Sequence, residues 1–105
     1  MNLSQMMADD LASELNRVAG YGCIPDYLKV VLGEKSNDAC VRKHADGVRV
    51  LLPTPADNDT IVAIDTARHS VTVSRPTTDG KMEYGESPLC QDTVEDVDAY
   101  VQAMN

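Results

Sequence analysis

The chain contains no phenylalanine and no tryptophan, and its only aromatic side chains are four tyrosines. Its core must therefore be filled by Val, Leu, Ile, Met and Ala. An aromatic anchor for a partner protein can come only from the tyrosines, which are Tyr21, Tyr27, Tyr84 and Tyr100. Basic residues are also scarce, because nine Lys and Arg stand against 17 Asp and Glu, a net charge of -8. This deficit argues against direct binding to nucleic acid or to an anionic membrane surface.

Segments that direct a protein to or across a membrane are also missing. No apolar run approaches the length of a membrane span, and Met1–Ser4 lacks the basic and apolar regions of a signal peptide. The cysteines, Cys23, Cys40 and Cys90, are odd in number and widely spaced, so we expect reduced thiols in a cytoplasmic protein. The length of 105 residues is typical of one domain, and we expect a single domain over residues 1–105.

Metal-binding and catalytic motifs are absent from the sequence. There is no Cys-x-x-Cys or His-x-x-x-His pair, and Cys40 and His44 on one strand would be about 13 Å apart, too far to share a zinc ion. A Cys40 or Cys90 nucleophile with His44 or His69 as its base lacks an identifiable orienting group. No glycine-rich phosphate loop follows a strand. We therefore expect no metal, no cofactor and no catalytic residues.

Three segments have helical patterns. Ser4 can cap a first helix, which Gly20 and Gly22 should end; its apolar stripe is Met7, Leu11, Leu15 and Val18. Ile24–Gly33 predicts a second helix from its early proline and final glycine, although its Val-Val-Leu run also suits a strand. A third helix should begin near Asp92, with Glu95 completing a capping box; its apolar stripe is Val94, Val97, Val101 and Met104.

Between the helices, alternating residues and Asp-Gly turns predict an antiparallel meander. A two-residue turn at Asp46–Gly47 pairs Ala45 with Val48 and sets Arg42, His44 and Arg49 opposite a face of Val41, Val48, Val50 and Leu52. Ile61–Asp65 and Ser70–Arg75 are further strands, and a turn at Asp79–Gly80 would pair Arg75 with Tyr84. That pairing puts Met82 and Tyr84 on the side of Val71 and Val73. The expected fold is α+β: a four-stranded antiparallel β-meander with two N-terminal helices and one C-terminal helix packed on one face.

Two charged surfaces are the candidate binding sites. Residues 83–105 contain no Lys or Arg, and their six acids form an acidic patch, namely Glu83, Glu86, Asp92, Glu95, Asp96 and Asp98. This patch either only caps and solubilises the last helix or presents negative charge to a basic partner. Arg42, His44 and Arg49 form a basic hairpin face that is either simply solvated or binds an acidic partner or a phosphate.

These features predict a non-catalytic protein-binding module, monomeric or homodimeric, which acts as an acidic inhibitor or accessory factor on a partner protein. A basic nucleic-acid-handling protein, as in mobile-element or phage-type counter-defence, is the candidate partner by analogy of class. Two alternatives stay open. A small acidic chaperone or adaptor for a secreted client would expose an apolar stripe, for which Leu51, Ile61 and Ala63 are candidates. A small-ligand-binding domain would have a concave pocket with convergent polar groups.

Overall fold

The computed structural model describes residues 2–32, 41–52 and 60–103, and only the backbone of residues 29–32 and 52. Its elements are α1 (Leu3–Gly20), α2 (Ile24–Leu32), β1 (Val41–His44), β2 (Gly47–Leu52), β3 (Ile61–Asp65), β4 (Ser70–Pro76), β5 (Met82–Pro88) and α3 (Gln91–Gln102). The strands form one antiparallel sheet in the order β1-β2-β3-β4-β5. The predicted α+β class and antiparallel sheet are confirmed. The predicted strand number is wrong, because the chain after the second Asp-Gly turn adds a fifth strand.

The helices cover one face of this sheet. Val50, Ile64 and Val71 are cross-strand neighbours in one row and are fully buried. α1 packs on β4 and β5, and α3 packs on β1, β2 and α1, with α2 beside both helices. Alternate residues of the strands point the other way, since successive side chains of a strand take opposite faces. We call that second side the outer face; its described residues include Arg49, Leu51, Ile61, Thr72 and Tyr84.

Helix α1 approaches the backbone of β5 closely at Gly85, and small residues form much of the buried stripe of the helix. Ser4, Ala8 and Ala12 are buried along with the predicted Leu15 and Val18, whereas the predicted Met7 and Leu11 are only partly buried at its margin. Opposite this stripe, a Cβ added to Gly85 would overlap the carbonyl of Ser4 and the Cα of Gln5. A core without large rings is thus matched by a short distance between helix and sheet.

The helix ends differ in detail from the sequence prediction. Asn2, not Ser4, caps α1, because its Oδ1 accepts a hydrogen bond from Gln5 N at 2.7 Å. The segment from Ile24 is a helix rather than a strand; Gly33 lies outside the described residues. α3 starts at Gln91, with Cys90 in the capping position instead of Asp92. Its apolar stripe is buried as predicted at Val94, Val97 and Val101, while Met104 lies outside the described residues.

In the first hairpin the predicted register is wrong by two residues. The turn is Ala45–Asp46, so that His44 pairs with Gly47 and Arg42 with Arg49. Gly47 belongs to the strand because the β3–β4 turn packs on it: a Cβ there would overlap Ala67 N and Thr66 Oγ1. A shift of two leaves each side chain on its predicted face, so Arg42, His44 and Arg49 are exposed opposite the buried Val48 and Val50.

In the last hairpin the predicted register is wrong by one residue, which reverses the face. Arg75 pairs with Glu83, not Tyr84. The loop has one residue more than a two-residue turn, since Thr77 N bonds Lys81 O at 2.7 Å and Gly80 takes a φ of 82°. Met82 and Tyr84 therefore lie on the outer face, where Tyr84 is 63% exposed.

The two edges of the sheet are treated differently. Side chains of α1 cover the β5 edge: Asn2 Nδ2 donates to Tyr84 O at 3.3 Å, and the Gln5 amide donates to Glu86 O at 2.9 Å and accepts from Glu86 N at 3.4 Å. Within the described residues, β1 pairs only with β2. Its residues at that edge include Arg42, Lys43 and His44, and charged side chains discourage pairing with a further strand.

Candidate functional site

A groove of about 350 Å³ opens where one end of the sheet meets α3. We call it the turn groove, because the β1–β2 and β3–β4 turns form one wall and α3 forms the other. Its lining residues are Ala45, Asp46, Gly47, Thr66, His69, Gln91, Val94, Glu95, Asp98 and Gln102. In a meander, alternate turns lie at the same end of the sheet, and this topology brings the two turns together.

α3 supplies most of the polar side chains of the turn groove. Gln91, Glu95, Asp98 and Gln102 recur at intervals of four, three and four, so they lie along one side of the helix. The start of α3 is held by Asn16 of α1, whose Oδ1 accepts hydrogen bonds from Cys90 N at 3.1 Å and Thr93 Oγ1 at 2.6 Å. The position of the polar stripe thus depends on a contact between two helices.

The opposite wall is built on Thr66, which is buried. Its Oγ1 accepts from Val48 N at 2.8 Å and donates to Val48 O at 3.3 Å, which joins the two turns. His69 adopts a left-handed φ of 54°, an uncommon conformation for a residue other than glycine. Its carbonyl accepts from Leu89 N at 2.9 Å. His69 therefore lies at the rim of the groove, attached to the segment that leads into α3.

The turn groove is negatively charged. Three carboxylates line it, Asp46, Glu95 and Asp98, and none of its described lining residues is Lys or Arg. Glu95 accepts a hydrogen bond from the Gln91 side chain at 3.1 Å. Among the described residues, Asp98 Oδ1 is buried without a hydrogen-bond partner. A buried carboxylate oxygen without a donor is unfavourable.

The predicted acidic patch is divided among several places. Glu95 and Asp98 meet in the turn groove, whereas Asp96 lines a different groove between α3 and the start of α2. Glu83 contacts the start of α1, because its Oε1 accepts a hydrogen bond from Leu3 N at 2.8 Å. A carboxylate at this position also interacts favourably with the positive end of the helix dipole.

Glu86 and Asp92 complete the set. Glu86 lies on the outer face, with its carboxylate 3.4 Å from Arg68 Nη2. Asp92 is exposed in the first turn of α3. It does not line the turn groove, the groove between α3 and the start of α2, or a third groove beside the β4–β5 turn. The six acids are therefore distributed over α3, the outer face of β5 and the start of α1.

The basic hairpin face lies on the outer face of the sheet. Arg42 and Arg49 are directly opposite each other on β1 and β2, and Arg49 is opposite Asp65 on β3. Like charges in direct cross-strand positions destabilise a sheet. His44 is exposed on the same face two pairs further along, opposite Gly47. The structure thus brings the three predicted basic residues together, on the opposite side of the sheet from the helices.

Sequence analysis did not identify several residues of the turn groove. The sequence pattern places Asp46 only in a turn and predicts no common location for Thr66, His69 and Gln91. The available signal was topological: the turns after β1 and β3 must share one end of a meander. Which side of α3 faces those turns depends on its rotation about its axis, and the Asn16 contact that helps to fix it is far away in sequence.

Other candidate chemistry has little support in the described part of the chain. Within residues 2–32, 41–52 and 60–103, no group of three or more His, Cys, Asp or Glu could hold a metal ion. Cys23 and Cys90 are exposed free thiols, and Cys40 lies outside the described residues. No described helix combines the length and apolarity needed to cross a bilayer. No protein-family model, curated protein or solved structure matches this chain.

Proposed function

We propose that the chain is a non-catalytic protein-binding module whose turn groove accepts a cationic side chain of a partner protein. The observation that carries this proposal is that three carboxylates, Asp46, Glu95 and Asp98, line one groove that has no Lys or Arg among its described lining residues. An arginine or lysine side chain supplies hydrogen-bond donors and the opposite charge for these carboxylates. Hydrogen bonds between charged groups are stronger than those between neutral ones.

The shape of the turn groove favours one protein side chain. Its volume of about 350 Å³ is near the lower end of small-ligand sites, and those sites are mostly apolar. Here the lining includes three carboxylates and the amides of Gln91 and Gln102, with Val94 as an apolar member. Arginine suits this surface because its planar fork offers five donors, while its aliphatic stem can rest on Val94.

The charge of the whole chain supports a basic partner. A net charge of -8 attracts basic proteins over a distance, raises their association rate and makes that rate depend on salt. Such a partner would include a protein that handles nucleic acid, whose basic surface this chain would occupy. Blocking that surface without chemistry is the action of an inhibitor or accessory factor, and we place the chain in that class.

The test is a titration followed by NMR of the backbone amides, with an arginine-rich peptide as the probe. We expect shifts at Asp46, Glu95 and Asp98 that weaken as salt increases, because the contact is between charged groups. Replacing Glu95 and Asp98 with Gln and Asn should lower the affinity about tenfold or more. Free arginine at the same concentrations tests the small-ligand alternative, and equal affinity for it would favour that alternative.

A matched control separates the groove from net charge. The double variant Asp10→Asn with Asp92→Asn also removes two negative charges, at exposed positions outside the groove. It should bind the peptide almost as the wild type does. If both double variants lose the same affinity, binding reflects overall charge and the groove is not the site. Retention of a basic host protein from lysate at low salt, and its loss with Glu95→Gln and Asp98→Asn, would identify the natural partner.

A further inference from the structure

Two arginines of the outer face stand directly opposite each other without a counter-charge. Arg42 on β1 pairs with Arg49 on β2, and both residues are exposed. Within the described part of the chain, neither of them forms an ion pair. Like charges in direct cross-strand positions destabilise a sheet, and natural sequences accept such unfavourable contacts at functional sites. An anion from outside the chain would relieve this one.

One carboxylate of the sheet flanks the arginine pair but is engaged in its own turn. Asp65 on β3 lies opposite Arg49, and its Oδ1 accepts a hydrogen bond from Arg68 N at 3.1 Å. This bond holds the start of the β3–β4 turn. The cross-strand row thus contains two cations and one anion, which is a local excess of positive charge in a chain with a net charge of -8.

The spacing of the pair suits a single anion that both arginines contact. The Cα atoms of directly opposite residues in an antiparallel ladder are about 4.5–5.5 Å apart, a distance that two arginine side chains easily bridge. Each guanidinium offers five donors in a planar fork that matches the oxygens of a phosphate or carboxylate. His44 follows on the same face, about 7 Å along the strand from Arg42, and adds an imidazole N–H.

We propose that Arg42 and Arg49 bind one phosphoryl group, carried by a phosphorylated side chain of a partner protein. A carboxylate has one negative charge and would neutralise only one of the two arginines. A phosphorylated side chain has a charge of about -1.5 to -2 at pH 7 and three strong acceptor oxygens, so one group satisfies both forks. Arginine clusters that recognise phosphorylated motifs use this same chemistry.

The shape and charge of the surroundings favour a protein as the carrier of the phosphate. Small ligands bind in concave sites that enclose most of their surface, whereas Arg42 and Arg49 lie on an open sheet and line none of the three grooves described above. Nucleic acids and anionic membranes present many phosphates at once. The net charge of -8 and the flanking Asp65 repel such polyanions, but admit one phosphate on a short peptide segment.

This site is separate from the proposed function. The turn groove is formed with α3, which packs on the other face of the sheet, and it is lined by carboxylates. It therefore takes a cation, while the arginine pair takes an anion. The two sites share no residue, so loss of one binding activity can be measured while the other is kept.

A titration with a short peptide that contains one phosphoserine and no other charged side chain tests the proposal. We expect shifts of the backbone amides at Arg42 and Arg49 in NMR spectra, and these shifts should weaken as salt increases. The phosphopeptide should bind at least tenfold more tightly than the same peptide without the phosphate. It should also bind more tightly than a version with glutamate in place of phosphoserine, because that residue has one charge and two oxygens.

A charge-preserving variant separates a site from general attraction. Arg42→Lys with Arg49→Lys keeps both positive charges but removes the forks, and it should lower the affinity for the phosphopeptide about tenfold. Arg17→Lys with Arg68→Lys is the matched control at two exposed arginines outside the pair, and it should bind as the wild type does. Circular dichroism verifies that each variant is folded.

Several results would overturn the proposal. These are equal affinity of the wild type for the phosphorylated and unphosphorylated peptides, and equal loss of affinity in the two lysine variants. Inorganic phosphate that binds as tightly as the phosphopeptide would indicate a small-molecule ligand instead, and a single-stranded oligonucleotide that binds more tightly would indicate a nucleic acid. Glu95→Gln with Asp98→Asn should leave phosphopeptide binding unchanged, whatever it does to the binding of the arginine-rich peptide.

Discussion

Single residues set the distances between the layers of this protein. Gly85 and Gly47 are both strand residues at which a Cβ would overlap neighbouring backbone. At Gly85 the neighbour is α1, and at Gly47 it is the β3–β4 turn that helps to form the turn groove. Neither contact is visible in a sequence pattern, in which Gly47 resembles an ordinary turn residue. The absence of a side chain here is a packing requirement.

Gly85→Ala should therefore be strongly destabilising. Its Cβ would collide with the backbone of Ser4 and Gln5, which cannot rotate away as a side chain can. We expect a loss of about 3 kcal/mol in the free energy of unfolding, measured by urea denaturation. Gly20→Ala is the control, because a Cβ there meets nothing within 4 Å, and it should be neutral or stabilising by up to about 1 kcal/mol. Equal effects would refute the close approach of α1.

Tyr27 gives an expected dependence of stability on alkaline pH. Burial raises the pKa of its phenol, and the carboxylate of Glu14 adds to this effect. The folded state thus holds the proton more tightly than the unfolded chain, in which tyrosine titrates near about 10. The resulting stabilisation is complete below that pH and is lost as pH rises through the higher pKa of the folded state.

Tyr27→Phe should remove that alkaline loss, as seen in the free energy of unfolding measured on both sides of pH ~10. Tyr21→Phe is the matched control at a largely exposed side chain and should keep the loss seen in the wild type. An unchanged pH dependence in Tyr27→Phe would show that the phenol is not desolvated.

At the scale of elements, sequence periodicity predicted more than local turn signals did. The three helices and the buried faces of β2 and β4 follow from apolar spacing, and the structure has them there. Both hairpin registers were wrong, for contacts that the local sequence does not contain. The Thr66–Ala67 turn keeps Gly47 in β2, and a left-handed Gly80 adds a loop residue. The second error placed Tyr84 on the helix-covered face instead of the outer face. The strand β5 was left out of the predicted count although the turn at Asp79–Gly80 implies it.

The first hairpin register can be tested by the like-charge pair. Because Arg42 and Arg49 are directly opposite, Arg42→Glu should increase the free energy of unfolding by about 0.2–1 kcal/mol. Arg49→Glu should not, since it also places a carboxylate opposite Asp65. In the register predicted from sequence, Arg42 would be opposite Leu51, and Arg42→Glu would bring no such gain. An Arg42→Glu variant that is no more stable than the wild type would therefore argue against the observed pairing.

The anchoring of α3 is the second test at this scale. Asn16→Ala removes the acceptor for Cys90 N and Thr93 Oγ1, and we expect a loss of about 1–2 kcal/mol. Asn16→Asp keeps an acceptor and adds negative charge beside the helix start, so it should stay close to wild-type stability. If Asn16→Ala also weakens binding of the arginine-rich peptide, the position of α3 controls the turn groove. Equal stabilities of the two variants would exclude the anchor.

At the scale of the molecule, the candidate site combines segments that are distant in sequence. The turn groove joins the chain near Asp46, His69 and Glu95, so no single stretch has a motif for it. Acid counts indicate a negative surface near Glu95 and Asp98, which line the turn groove. They could not show that Glu83 caps α1 or that Glu86 lies beside Arg68. Charge composition supports the proposed kind of partner, whereas the location of the proposed site depends on topology.

The unequal sheet edges determine how far a strand-by-strand polymer of this protein could grow. The side chains of Asn2 and Gln5 occupy hydrogen-bonding groups of β5, which leaves β1 as the described edge available for addition. A molecule that can pair through only one sheet edge cannot extend a polymer. Two such molecules pair through their β1 edges, and no described edge then remains for a third. Mutations that neutralise Arg42 or Lys43 would thus yield closed pairs, whereas loss of the Gln5 contacts would remove the barrier to fibrils.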